Sequence, residues 1–188
     1  YAPKRARRDG RRRPRIVHRH NKDHRPDLQQ LVWSLTVSAD GAVPVHYNVH
    51  DGNVTDDQLH IDTWEALRRV AGRSDFIYVA DCKLCTRDNM GYLERHGGRF
   101  VTVLPRTRKE DERFRRALVD HPVDWQVIWK RPPRRRQTDA PERLEAVEAT
   151  APTVEGYRVV WYRSSDKWQR DQQLRDEALQ TARQELER

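Results

Sequence analysis

Short runs of β-branched and aromatic residues punctuate the first half of the chain and predict buried or half-buried strands. The four runs cover residues 31–37, 42–49, 76–80 and 100–104. The Asp40-Gly41 turn signal between the first two runs predicts a β-hairpin. In its second strand, apolar residues alternate with polar ones, which predicts one buried face. The proline there predicts either an edge strand or the start of a strand. The apolar set is Val43, Val45, Tyr47 and Val49.

Two helices are predicted between the later strands. Thr55 and Gln58 have the spacing of a capping box, and an apolar stripe through Leu59 and Leu67 continues to a stop near Gly72. A second helix is predicted over residues 86–96, closed by a Gly-Gly pair. The strand at 42–49, the first of these helices and the strand at 76–80 form a crossover, which is the connection that builds parallel pairing. The pattern therefore predicts an α/β fold.

The pattern changes after Pro105. Residues 106–117 are densely charged, and strands are predicted at 125–129 and 157–162, with a loop or a weak third strand between them. Residues 166–188 have the periodicity of an amphipathic helix, for which we expect an ordinary packing role. Its apolar stripe consists of Leu174, Ala178, Ala182 and Leu186.

The strand at 76–80 ends on a carboxylate, Asp81. An acid at the carboxyl end of a buried strand lies where open α/β sheets place their chemistry. Aspartate is also a common turn former and helix cap, so a purely structural role is the competing interpretation.

Positive charge is concentrated at the start of the chain. The net charge is +8, and residues 1–25 hold eleven Lys or Arg against two Asp. Such an arm neutralises phosphates of nucleic acid, or it is a solvated tail. A second basic cluster at residues 130–136 favours nucleic acid.

Cys82 and Cys85 are the two cysteines, and their spacing suits half of a zinc site. His18, His20 or His24 would have to complete it, and no second Cys pair accompanies them, so small residues beside a strand end are the favoured interpretation. No stretch approaches the length of a membrane span, and we expect a soluble, cytoplasmic protein without a membrane partner. Because the chain begins with Tyr1, we expect its natural start to be missing.

Four segments in order carry a resemblance to a known family: residues 20–30, 40–44, 51–56 and 79–81. They resemble the motifs Gly-His-Ser-Lys-x-x-Arg-x-Asp, Asp-Gly-x-Pro and Gly-Asn-x-x-Asp, followed by a strand that ends in Asp. This succession is similar to the DDE transposases of bacterial insertion sequences, whose catalytic core has a ribonuclease H-like fold. The close resemblance covers about residues 20–105.

The resemblance implies a fold and a domain plan. We expect a ribonuclease H-like mixed sheet with flanking helices, followed by a small β insertion and a long C-terminal helix. The expected segments are a basic arm (1–19), a partial ribonuclease H-like core (20–105), a β-rich insertion (106–165) and an amphipathic helix (166–188).

The resemblance also implies a catalytic role for Asp81. In this family two aspartates and one glutamate hold two Mg²⁺ or Mn²⁺ ions, which activate the nucleophile and stabilise the leaving oxygen in DNA cleavage and strand transfer. Asp81 matches the second acid and is both the catalytic and the metal-binding candidate. The first Asp and the Glu have no match, and Glu110, Glu112 and Glu177 are substitutes by residue type only. The chain as given is therefore expected to be a fragment lacking both ends, without activity of its own.

Double-stranded DNA is the expected partner, with a homodimer expected at synapsis. The DNA-binding candidates are His20, Lys22, Arg25, Arg11, Arg12 and Arg13. His20, Lys22 and Arg25 belong to the family-like segment and either contact phosphates of the transposon end or cover the hairpin edge. Two alternatives stay open: a non-enzymatic basic nucleic-acid-binding protein, and a metal-dependent nuclease that acts by hydrolysis alone.

Overall fold

Four α-helices and several small sheets make up the described part of the chain, which is mixed α/β. The structure is a computed structural model that describes residues 13–19, 25, 27–132 and 141–186. The chain divides into two compact units at the Pro105–Arg106 junction. The candidates His20, Lys22, Arg11 and Arg12 lie outside the described residues.

The first unit contains six strands in three two-stranded sheets. The antiparallel pairs are β1 (Val17–His18) with β2 (Gln29–Gln30), and β3 (Val32–Val37) with β4 (Pro44–His50). The parallel pair is β5 (Ile77–Ala80) with β6 (Arg99–Thr102). The predicted hairpin is confirmed. The crossover was predicted between the strands at 42–49 and 76–80, whereas the parallel pair in the described residues joins β5 to β6, across the helix that follows β5.

Two helices connect these strands. A 3₁₀ turn (Asp56–Leu59) with the predicted capping box leads into α1 (His60–Ala71), and α2 (Arg87–Arg95) follows β5. Thr86 caps α2, since its hydroxyl accepts a hydrogen bond from the Asn89 amide. Both helices are confirmed within a residue or two of their predicted ends.

An aromatic and aliphatic core lies where α1 and α2 meet the parallel pair. Trp64, Leu84 and Leu93 are fully buried, and Tyr78 of β5 packs against them. Because β5 alternates, Tyr78 points into this core while its neighbours Ile77 and Val79 are exposed. The backbone of β5 is thus anchored by one face only.

The hairpin does not bury the face that the sequence pattern predicts. Val43, Val45 and Tyr47 are exposed, and Tyr47 has 69% of its surface accessible. The opposite residue of β3, Leu35, is exposed as well. The expectation of a buried face is therefore wrong for the described residues, because alternation identifies an apolar face without supplying an element to cover it.

The second unit is built on a three-stranded antiparallel sheet in the order β7-β8-β9: β7 (Gln126–Arg131), β8 (Glu142–Glu148) and β9 (Val160–Ser164). The stretch predicted as loop or weak strand contains the central strand, β8. Helix α3 (Lys109–Asp120) precedes the sheet, and Phe114 of α3 stacks on Trp161 of β9 with ring centroids 4.1 Å apart.

Helix α4 (Ser165–Leu186) follows β9 directly. Its existence is confirmed, but none of its described residues is buried, and Leu174 and Leu186 of the predicted stripe are exposed. The packing role expected for that stripe is thus wrong within the structure described. No helix in the described residues is long and apolar enough to cross a membrane.

Gly52 lies close to the backbone of Gln30. A Cβ atom at this position would lie 1.9 Å from the carbonyl oxygen of Gln30, which is backbone and cannot swing aside. The Gln30 side-chain amide donates to the Gly52 carbonyl at 3.0 Å. Only glycine permits this approach, which fixes the loop after β4 against β2.

We expect Gly52→Ala to lower the free energy of unfolding of the first unit by more than about 2 kcal/mol, since a backbone shift is required to admit the methyl group. Chemical denaturation measures the loss. Gly91→Ala is the matched control, because its Cβ would meet only the movable end of Arg95 and alanine favours a helix. Equal stabilities for the two variants would contradict the close approach.

Candidate functional site

Asp81 is the first residue after β5 and stands at the carboxyl end of the parallel pair. Its backbone carbonyl accepts hydrogen bonds from the Thr102 hydroxyl at 2.6 Å and from the Leu84 amide at 3.1 Å. Its carboxylate accepts the Lys83 amide at 2.9 Å, which closes an Asx turn. The structure therefore satisfies the turn-forming interpretation and leaves the rest of the carboxylate exposed to solvent.

The turn that follows Asp81 is tied to the start of the first helical segment. Asn89 is buried, and its side-chain amide donates to the carbonyl of Asp57 at 2.8 Å. A second, longer bond runs from the same amide to the Lys83 carbonyl. Asn89 thus positions residues 81–86 against the 3₁₀ turn, and the orientation of Asp81 follows from that connection.

A cleft of about 440 Å³ opens beside Asp81. Its lining includes Asp56, His60 and Tyr78, together with the strand residues of β3 and β5. No Lys or Arg within the described ranges forms an ion pair with the Asp81 carboxylate. This carboxylate is therefore a negative charge at the edge of a solvent-filled cleft, available to a cation.

His60 and Tyr78 form the polar part of the cleft wall. The His60 Nδ1 atom lies 3.1 Å from the Tyr78 hydroxyl. Burial lowers the pKa of His60, opposed by the negative charges of Asp81, Asp56 and Asp57. Burial also raises the pKa of Tyr78 to about 12, and the charge of Asp81 adds to this rise. Both side chains are therefore neutral at pH 7 and keep their hydrogen bond without adding charge to the site.

Of the other acids considered from sequence, Glu110 and Glu112 have partners in the second unit and Glu177 is exposed. Glu110 accepts hydrogen bonds from Arg108 and from the Val154 amide. Glu112 pairs with Arg116 one helical turn away, and the Glu177 side chain lies on the exposed surface of α4. These three glutamates therefore belong to the ion pairs or the surface of the second unit.

The two described DNA-binding candidates are both exposed. Arg13 is exposed and lies outside any helix or strand. The guanidinium of Arg25 donates to the Asp27 carboxylate at 2.9 and 2.7 Å, and this bond raises the pKa of the guanidinium. The pair is solvent-exposed, so Arg25 can exchange Asp27 for a phosphate at little cost.

Part of the basic arm has a structural role that its composition did not indicate. Arg15 forms a backbone and a side-chain hydrogen bond to the Asp51 carboxylate, and the Gly52 amide donates to the Arg15 carbonyl. Arg19 donates to the carbonyl of Val54. These two arginines hold residues 15–19 against the loop after β4. In the described part of the arm, residues 13–19, Arg13 is the arginine left for phosphates.

The basic cluster at residues 130–136 is described only at its start. The Arg131 guanidinium lies 4.9 Å from the centroid of the Trp129 ring and 3.7 Å from a carboxylate oxygen of Glu142. Arg131 is therefore engaged within its own sheet. The remainder of the cluster from residue 133 lies outside the described residues.

The described residues do not form a two-metal centre by themselves. A pair of Mg²⁺ ions requires several oxygen ligands, whereas Asp81 supplies one carboxylate. No group of three or more His, Cys, Asp or Glu side chains within metal-binding reach occurs in the described ranges. No disulfide joins Cys82 and Cys85 within the described residues, and Cys85 is buried. No metal-dependent step follows from these residues alone.

The sequence predicted Asp81 as a site residue, and it did not predict the groups that surround Asp81 in the structure. His60, Tyr78, Asn89 and Thr102 come from two helices and two strands and share no spacing in the sequence. The signal in the sequence that could have identified them is a polar side chain next to the predicted end of a buried element. Comparison of the chain with protein-family models, with curated proteins and with solved structures finds no match.

We expect the His60 imidazole to titrate with a midpoint below its ordinary value of 6.5, because burial disfavours its charged form. The unfolded chain then binds a proton at His60 more readily than the folded chain does. The free energy of unfolding therefore decreases as pH falls below 6.5 towards the folded-state pKa of His60. An NMR titration of the ring measures the midpoint. Since burial also lowers the pKa of His50, comparing unfolding of wild type and His60→Asn against pH isolates the His60 contribution. A midpoint at or above 6.5 would refute the assignment.

Proposed function

We propose that this chain is the part of a bacterial insertion-sequence DDE transposase that carries the second catalytic aspartate, and that Asp81 is this residue. One observation carries the proposal. The Asp81 carboxylate stands exposed at the carboxyl end of a parallel strand pair, oriented by backbone bonds and without a cationic partner among the described residues. An aspartate that only caps a helix or forms a turn needs the hydrogen bond from the Lys83 amide. It does not need to face an open, negatively charged cleft.

The order of elements in the first unit supports a ribonuclease H-like core. An antiparallel hairpin, a helix, a strand ending in an acid, a helix and a parallel strand follow one another. The close approach at Gly52 gives a physical reason for a glycine in the Gly-Asn segment that resembles the family's motif. These features favour the ribonuclease H-like fold over other mixed α/β arrangements.

The proposed chemistry is cleavage of phosphodiester bonds at transposon ends, followed by strand transfer. Asp81 would contribute one carboxylate to two Mg²⁺ or Mn²⁺ ions, which together stabilise the attacking and leaving oxygens. The remaining acids of the triad are supplied by segments other than the described residues. On this proposal the chain alone binds divalent cations weakly and cleaves no DNA.

DNA binding is assigned to the positive charge before β2. Arg11, Arg12 and Arg13, with His20, Lys22 and Arg25, contact phosphates and so position the duplex without reading its sequence. The same residues carry the second candidate function, non-enzymatic nucleic-acid binding, which the charge of the arm favours on its own.

The catalytic assignment predicts that Asp81→Asn abolishes Mg²⁺-dependent cleavage in a polypeptide that joins this chain to the missing acids. The reason is that an amide supplies no negative ligand to the metal. Cleavage of DNA carrying the inverted repeats that flank the gene is the measurement, with strand-transfer products scored separately. Asp88→Asn, an exposed acid at the start of α2, is the matched control. Wild-type cleavage by Asp81→Asn would leave DNA binding as the better function.

The binding assignment predicts a smaller salt dependence when Arg11, Arg12 and Arg13 are changed together to Ser. Each lost phosphate contact lowers the slope of log K against log salt by about one. Fluorescence anisotropy with a duplex probe at several salt concentrations measures it. Substitution is preferable to deletion of residues 1–19, which would remove β1 and the Arg15–Asp51 contact. An unchanged slope would identify the arm as a solvated tail.

A further inference from the structure

Two positively charged side chains follow Asp81 closely along the chain. Lys83 lies two residues after Asp81, and Arg87 is the first residue of α2. Both side chains are exposed. Within the described ranges, neither side chain forms an ion pair or a hydrogen bond. Two cations that have no described partner therefore follow the end of the parallel strand pair where the Asp81 carboxylate lies.

Hydrogen bonds and buried neighbours fix the backbone of Lys83 relative to Asp81. The Lys83 amide donates to the Asp81 carboxylate at 2.9 Å, and the Leu84 amide donates to the Asp81 carbonyl at 3.1 Å. The Lys83 carbonyl accepts the Asn89 side-chain amide at 3.4 Å. Leu84 and Cys85, the next two residues, are buried. The Lys83 ammonium, on its flexible four-carbon stem, is therefore held within one side chain's length of this turn.

The stability of α2 does not account for Arg87. Ion pairs on a helix join residues three or four positions apart, as those of Arg68, Arg115 and Arg116 do. Asp88 is adjacent to Arg87 in sequence, and adjacent side chains on a helix do not face each other. A positive charge in the first turn also opposes the helix dipole. The residues three and four positions from Arg87 include no acid: Lys83, Leu84, Met90 and Gly91.

The charges around the cleft make cations necessary for a DNA strand that passes Asp81. Asp56 and Asp81 both line the cleft, and their carboxylates repel phosphate groups. A phosphate near these acids is stabilised by charge-assisted hydrogen bonds from an ammonium or a guanidinium. Lys83 and Arg87 are of these two types and follow Asp81 within one turn and the start of one helix.

We propose that Lys83 and Arg87 bind backbone phosphates of the DNA beside Asp81. The inference rests on the proposed function, which brings DNA to this end of the strand pair, and it adds contacts that the basic arm does not supply. The Lys83 ammonium acts as a point charge, and the planar Arg87 guanidinium donates two parallel hydrogen bonds to one phosphate. Contacts of this kind position the duplex and do not read its sequence.

The turn after β5 joins the phosphate contact to the candidate catalytic carboxylate. The Lys83 amide orients the Asp81 carboxylate, and the Lys83 ammonium binds the DNA. One residue thus positions both the acid and the phosphate backbone. Fixing reacting groups in such a geometry contributes a large part of the rate enhancement in enzymes. Lys83 and Arg87 bind the substrate on this proposal and transfer no proton.

Arg95 provides a matched control on the same helix. Arg87 and Arg95 are the first and last residues of the nine-residue α2, about 12 Å apart along its axis at about 1.5 Å per residue. Because α2 leads from the end of β5 to the start of β6, Arg95 lies towards the opposite end of the parallel pair. Arg95 is exposed and forms no ion pair with a described residue.

The salt dependence of DNA binding tests the two contacts. Lys83→Gln and Arg87→Gln each remove one charge from an exposed position, so the fold is retained. Fluorescence anisotropy measures the affinity of the 188-residue chain for a labelled duplex at several salt concentrations. We expect each substitution to lower the slope of log K against log salt by about 0.9, the value for one lost phosphate contact. Arg95→Gln and the charge-retaining Lys83→Arg keep the wild-type slope.

Lysine acetylation gives a second readout that a merely structural role of Lys83 would not change. The chain is treated with an amine-acylating reagent with and without saturating duplex, and the modified lysines are quantified by mass spectrometry. We expect the duplex to slow acetylation of Lys83 several-fold, because a phosphate covers its ammonium. Lys167 of α4, which is exposed and pairs with Asp171 at 3.5 Å, is the internal reference and reacts at an unchanged rate.

An unchanged slope in Lys83→Gln or in Arg87→Gln would overturn the proposal, as would an equal fall in Arg95→Gln. Acetylation of Lys83 at the same rate with and without duplex, or no duplex binding by the wild-type chain, would also overturn it. None of these measurements depends on DNA cleavage. Wild-type cleavage by Asp81→Asn together with the expected slopes would leave the phosphate contacts standing and refute the catalytic assignment alone.

Discussion

The packing of Trp64 against the β5–β6 pair is the interaction on which the first unit depends. Trp64 is fully buried from α1, with Phe76 at 6.1 Å and Tyr92 of α2 at 6.3 Å between ring centroids. Burying an indole of this size is worth several kcal/mol, which is large against the stability of a small unit. Because both helices and the parallel pair meet on this ring, the end of β5 and the position of Asp81 are fixed by it.

Local patterns predicted the elements near that core well. The turn at Asp40-Gly41, the capping box at Thr55 and the stop before Gly72 depend on residues within a few positions of one another. Asp81 belongs to the same class, since a strand's end can be read from the run that precedes it. The meeting of His60, Tyr78 and Asp81 depends instead on tertiary packing, which has no signature in the spacing of residues.

Burial and charge were harder to predict than secondary structure. The apolar face of β4 is exposed because no described element covers it, and the stripe of α4 is exposed in the same way. Arg15 and Arg19 counted as part of a uniform basic arm, yet they bond to residues 51–54. Composition counts charges without separating those with a local carboxylate or carbonyl from those available to a ligand, and this distinction decides which arginines can reach DNA.

Asp81 lines the same cleft as the edges of β3 and β5 that pair with no other described strand. The Lys83 amide orients the carboxylate, and the Thr102 hydroxyl holds the backbone carbonyl of the same residue. The carboxylate has no cationic partner in the described ranges, and the strands β3 and β5 that line the cleft beside it pair there only with β4 and β6. Any ligand that fills the cleft would exclude water from the side of Asp81 that faces it. Exclusion of water strengthens every charge interaction of the carboxylate, because the local dielectric falls. The attraction between the Asp81 carboxylate and a cation placed beside it would therefore be stronger with the cleft filled than with the cleft open to water.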